Sequence, residues 1–150
     1  MKYISLSFLA ITFLSCSKTE KTELPFDTFE YSFSAQALDY SIKFNNSDTV
    51  YFIKRRPEPA ANSYAILDDM QKDSLKSLVQ KLDFAKYKAA YNDNAIMDAS
   101  TFTLTKTKGS TENSVHVYGT KAPEELYIYA AKLNQYSKHL DFKPYLGTIK

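Results

Sequence analysis

This 150-residue chain holds one cysteine, Cys16, and that constrains how any fold of it can be held together. With no second cysteine, no disulfide can close within the chain, so stability must come from a packed apolar core. Twelve tyrosines and ten phenylalanines can supply one, since each large ring buries more apolar surface than any aliphatic side chain. The position of Cys16 carries a second message. It ends a run, Ile4-Ser5-Leu6-Ser7-Phe8-Leu9-Ala10-Ile11-Thr12-Phe13-Leu14-Ser15, that follows Lys2. A basic start, about a dozen apolar residues and a small residue before the cut are the parts of a secretory signal. The run is shorter than the roughly 20 residues a spanning helix needs.

The phrase Phe13-Leu14-Ser15-Cys16 resembles the lipobox of bacterial lipoproteins, with Phe13 where leucine is commonest. That resemblance implies that the Cys16 thiol takes a diacylglycerol, that residues 1–15 are removed, and that the new amine is acylated. Two or three chains hold far more firmly than one, because each buried methylene contributes about 0.8 kcal/mol. Ser17, rather than aspartate, after the cysteine implies the outer membrane, facing the periplasm or the cell surface. Residues 16–25 carry Lys18, Glu20, Lys21 and Glu23 and no aromatic residue, which predicts a flexible tether. Residues 26–150 are then one domain with one core. Basic and acidic residues nearly balance at 19 and 17, and no basic cluster exceeds Arg55-Arg56, so nucleic acid is not an expected partner.

Period-2 alternation predicts strands at Phe29, Tyr31 and Phe33 and at Tyr40, Ile42 and Phe44. Asn45-Asn46-Ser47-Asp48 is turn chemistry, and Thr49-Val50-Tyr51-Phe52-Ile53-Lys54 reads as the return strand, ended by Pro57 and Pro59. Leu75, Leu78, Val79 and Leu82 make a helical stripe. Asp68, Asp69 and Asp73 crowd its start, where the helix dipole favours negative charge. A second hairpin runs through Phe102 and Leu104, a Lys108-Gly109-Ser110-Thr111 turn, and Val115 and Val117. A last helix opens at Pro123 and carries Leu126, Tyr129, Ala130, Leu133 and Tyr136 on one side. The expected architecture is α+β: a two-layer sandwich of about five antiparallel strands with two helices on one face, in the order β-β-β-α-β-β-α.

Several of these pieces resemble a family of domains of unknown function found in small secreted and lipid-anchored bacterial proteins. Tyr40 matches its tyrosine and Ser47-Asp48-Thr49-Val50 its turn. The stretch Leu78 to Phe84 matches its helix end, and Gly119-Thr120-Lys121-Ala122-Pro123-Glu124-Glu125-Leu126 its last helix start. Ala37 and Leu38 stand where that family often has cysteine and proline, and Ser47-Asp48 lacks its glycine. The resemblance implies a fold and no activity.

Signals for catalysis are weak. Ser114 and His116 lie two apart on one strand with no third partner or nucleophile elbow, and a cysteine spent on lipid cannot be a nucleophile. Asp93, Asn94 and Asp98 offer oxygen ligands without calcium-loop spacing, so a solvated loop is expected. No cofactor and no metal is expected. What is left is the open face of the sheet, with His116, Tyr118, Thr103 and Lys43 as candidate binding residues. The sequence therefore reads as a lipid-anchored envelope protein without catalysis. It would bind a protein partner or inhibit a target enzyme; a glycan or peptidoglycan module is the alternative, and a hydrolase the third.

Overall fold

The computed structural model describes residues 23–147 and 149. The N-terminal apolar run and Cys16 lie outside the described residues. Within them the chain forms eight strands and two α-helices: β1 (Thr28–Ser34), β2 (Asp39–Asn45), β3 (Thr49–Arg56), β4 (Ala61–Ile66), α1 (Asp69–Gln80), β5 (Ala90–Asn92), β6 (Thr101–Lys108), β7 (Thr111–Tyr118), α2 (Glu124–Lys138) and β8 (Lys143–Pro144). All eight strands belong to one sheet in the order β5-β7-β6-β1-β2-β3-β4-β8.

This corrects the expected five-stranded antiparallel sheet and its order. The sheet is mixed, because β5 runs parallel to β7. Three strands are additional. The fourth, β4, turns back after the prolines and pairs Val50 with Ala65 and Phe52 with Ser63. Its helix-facing positions are Ala61, Ser63 and Ala65, small residues set against Asn62, Tyr64 and Ile66 on the other face, so the alternation does not mark the buried side. Strands β5 and β8 have three and two residues, too few for a period to show. The two hairpins do not stand apart, because β1 bonds to both β2 and β6 and makes the sheet continuous.

One face of the sheet and both helices share a single buried cluster. Phe29, Ile42, Phe44, Val50, Leu104 and Val117 come from the sheet, Leu75 and Val79 from α1, and Leu126 and Leu133 from α2. Each such side chain contributes about 1.5–3 kcal/mol on burial. Leu24 and Phe26 join this cluster, so the core begins inside the segment read as a tether. Leu78, expected mid-stripe, is only partly buried and lines a groove between the helices; Lys72 takes a buried place instead, its ammonium 2.6 Å from Asp69 and 3.4 Å from Asp48. Asp68 caps α1: its carboxylate accepts from the Gln71 N–H, while the Gln71 side chain accepts from the Asp68 N–H. Such a reciprocal box satisfies two otherwise orphaned donors.

The chain after Leu140 runs along the edge of β4, where Lys143 and Pro144 pair with Tyr64 and Ser63. Phe142 packs on Phe52 with ring centroids 5.7 Å apart. Tyr145 crosses to the other side of the sheet and meets Tyr51 at 5.4 Å and Tyr64 at 6.0 Å. Among the described residues, no helix is long and apolar enough to cross a membrane.

Candidate functional site

The face of the sheet away from the helices is built from the alternate positions of the core strands. Antiparallel register lines these positions up in rows. One row runs Ile53, Ser41, Ser32, Thr103, His116 from β3 across β2, β1 and β6 to β7. The next runs Tyr64, Tyr51, Lys43, Glu30, Thr105, Ser114. Neighbours in the rows bond across strands: Ser32 and Ser41 hydroxyls at 2.9 Å, Thr103 Oγ1 and His116 Nδ1 at 3.0 Å, Thr105 and Ser114 hydroxyls at 3.2 Å. Arg55 adds to the pattern by donating to Ser41 Oγ at 2.6 Å and to Asp39 at 2.8 Å.

Of the four candidate residues, Thr103 and His116 are brought together. Lys43 lies on the same face two strands away, on β2, opposite Glu30 and Tyr51. Tyr118 is committed elsewhere. Its hydroxyl donates to the Ile96 carbonyl at 2.9 Å and accepts from the Ala99 N–H at 3.4 Å, so it pins the loop between β5 and β6. Ser114 and His116 each bond to β6 and not to one another.

The loop that offered oxygen ligands is anchored by Asp93. This carboxylate is nearly inaccessible and accepts from Lys121 Nζ at 2.7 Å, Thr120 Oγ1 at 3.2 Å and the Ala95 N–H at 3.2 Å. The Lys121 ammonium in particular holds its pKa below the usual carboxylate value. Opposite opposed effects (burial raising it, hydrogen bonds lowering it) the bonds win. Asp98 is exposed, and no group of three or more potential metal ligands occurs among the described residues. Gly119, at φ +84°, sits so close to Asp93 that a Cβ there would lie 2.6 Å from the Asp93 Cβ.

On the helix side, a slot of about 510 Å³ opens between the ends of β2 and β3 and the last turn of α2. Its floor is aromatic: Tyr40 and Phe52 stack at 5.4 Å and 28°, and Phe142 closes one side. Burial raises the Tyr40 pKa, so the phenol stays neutral. Lys54, Arg56 and Lys138 stand around this floor, and no carboxylate lines it. Arg56 is already engaged, with Asp39 at 3.5 Å and Ser34 Oγ at 3.1 Å. Sequence reasoning missed this site. The available signal was Lys54, a charge in register with Val50 and Phe52 on the core-facing side of β3, where alternation calls for an apolar residue.

A family model described as a domain of unknown function, DUF6438, matches residues 38–137. That span holds Tyr40, the Ser47-Asp48-Thr49-Val50 turn and the Pro123 helix start, and it leaves the lipobox-like segment outside. No curated protein matches the chain.

Proposed function

This chain belongs to the DUF6438 family of domains of unknown function, and we propose that it is a non-catalytic binding module, held at a bacterial envelope by lipid on Cys16. The open sheet face meets an envelope protein, either as part of a complex or as an enzyme it inhibits. The observation that carries this reading is the hydrogen-bonded rows of side chains across β2, β1, β6 and β7. Polar groups held in place before binding lose less conformational freedom when a partner arrives. The six longer strands, of six to eight residues each, span roughly 29 Å by 22 Å at ~4.8 Å between strands and ~3.3 Å per residue. That is on the order of 600 Å², near the ~800 Å² per partner of a standard protein interface.

One observation favours a second reading. Tyr51, Tyr64 and Tyr145 gather at one end of the same face, and tyrosine rings are suited to stacking on sugars. A glycan or peptidoglycan module would use that end, and a protein partner the Thr103–His116 end.

A photoreactive amino acid placed at Thr105, and separately at Lys132 on α2, tests the face in living cells. A discrete protein adduct from Thr105 alone, weakened by His116→Ser, is the expected result. Adducts of equal yield from both positions, or none from Thr105, would overturn it; capture of polysaccharide from a probe at Tyr64 would favour the glycan reading.

A further inference from the structure

We infer that the slot between β2, β3 and α2 is a binding site for a small amphiphilic carboxylate, its apolar body on Tyr40, Phe52 and Phe142 and its charge toward Lys54 and Lys138. The slot lies on the helix side of the sheet, so the inference stands apart from the sheet-face reading. Three features point the same way. The volume of about 510 Å³ falls within the 300–1,000 Å³ usual for small-molecule sites. The floor is apolar and aromatic, with Leu38, 47% exposed, at its mouth. The third feature is charge. Lys54 and Lys138 have no ion-pair partner among the described residues.

The placement of Lys54 is what raises this above a surface dimple. Its register partners are Tyr40 on β2 and Ala61 on β4, both on the helix-facing side. Lys54 is only partly exposed and lines the slot beside Tyr40 and Phe52, so its stem is held against the rings while its charge has no ion-pair partner among the described residues, and an anion in the slot would supply one. The charge is not needed for packing, since an uncharged side chain of the same length would fill that space. At the C-terminal end of α2, Ser137 turns its hydroxyl back to the Asn134 carbonyl at 2.8 Å, so it is satisfied and leaves Lys138 as the helix's contribution of charge. A purely hydrophobic ligand would leave both lysines unused, and a bare inorganic anion would leave the rings unused. A molecule with both parts uses the whole site.

The probe is 4-benzoylbenzoate, whose two rings carry one carboxylate and whose ketone forms a covalent adduct under light. Applied to the full chain in its membrane, it should label peptides containing Leu38 or Phe142, saturably, and 2-naphthoate should compete. The neutral 4-benzoylbenzamide should label these peptides at least about tenfold less, a factor worth 1.4 kcal/mol. Lys54→Met and Lys138→Met should each cost the acid several-fold, with no change for the amide, and Lys54→Arg should restore the labelling. The melting temperature of Lys54→Met should be unchanged or higher, because methionine keeps the apolar stem and no ion pair among the described residues is lost. Equal labelling by acid and amide, competition by inorganic phosphate as strong as by 2-naphthoate, or label confined to other peptides would each overturn the proposal. A Lys54→Met variant that loses label and also melts early, without rescue by arginine, would overturn it as well.

Discussion

Leu133 and Leu78 both lie on apolar helix stripes, yet the structure separates them. Leu133 is fully inaccessible in the shared core. Leu78 is only partly buried and borders the open groove between α1 and α2. Leu→Ala removes three carbons, so full burial loses about 2.4 kcal/mol of transfer free energy at ~0.8 kcal/mol per methylene. The space left at Leu133 lies inside the shared buried cluster, and the cavity adds to the loss. The total should reach about 3–4 kcal/mol, inside the measured range for such sites. At Leu78 the transfer loss is a fraction of that and the groove admits water, so no sealed cavity forms; about 1 kcal/mol is expected. Urea unfolding read by far-ultraviolet circular dichroism should show the difference of about 2 kcal/mol as a lower midpoint for Leu133→Ala at unchanged slope. Equal losses at the two positions would refute the reasoning, since they would mean that the two side chains are equally enclosed.

Gly119→Ala should destabilise more than Gly109→Ala. Both have positive φ, but Gly109 has open space where the Cβ would go, whereas at Gly119 the Cβ meets Asp93. Gly109→Ala should cost about 1 kcal/mol from the left-handed backbone alone, and thermal melts of the two variants compare them directly. The depressed Asp93 pKa implies a stability term that is complete above the unfolded carboxylate pKa of ~3.9. It is lost as pH falls through the lower folded value. Unfolding midpoints between pH 5 and pH 2 should therefore fall less steeply in Lys121→Met than in the wild type. Tyr129 has a buried hydroxyl with no partner among the described residues, so Tyr129→Phe should be neutral or stabilising by up to about 1–3 kcal/mol; a clear loss in the melt would show that the hydroxyl is bonded. Cys16→Ala should leave the membrane fraction and lose acyl labelling; retention after a salt wash would refute the anchor.

Much of the local structure could be read from residue order. The alternations through Phe29-Tyr31-Phe33 and Phe102-Leu104 mark strands because large rings and branched chains contrast with Ser and Thr. The stripe at Leu126, Tyr129, Ala130 and Leu133 marks α2 for the same reason at a longer period. Strand β4 escaped because the residues on its helix-facing side are Ala61, Ser63 and Ala65, while the larger Tyr64 and Ile66 lie on the other side. The small residues give the buried side no hydrophobic excess over the open one, so the alternation does not mark it. Strands β5 and β8 exist because β7 and β4 have free edges to offer them, and no period can register in two or three residues.

The candidate sites divide along the same line. That His116 and Thr103 share an exposed face follows from strand phase alone. That they bond to each other depends on the pairing of β6 with β7 in one register. Tyr118 has the same phase as His116, yet a loop closes over it and takes its hydroxyl. The slot is wholly a tertiary product: Lys54 comes from β3, Lys138 from α2 and Phe142 from the chain beyond it. By itself the sequence determined where the chain alternates, where its helices start and what Cys16 resembles, because those depend on neighbours along the backbone. Which side chains meet across the sheet, and which charges are left facing an aromatic floor, was decided only by packing, because that depends on segments distant in sequence.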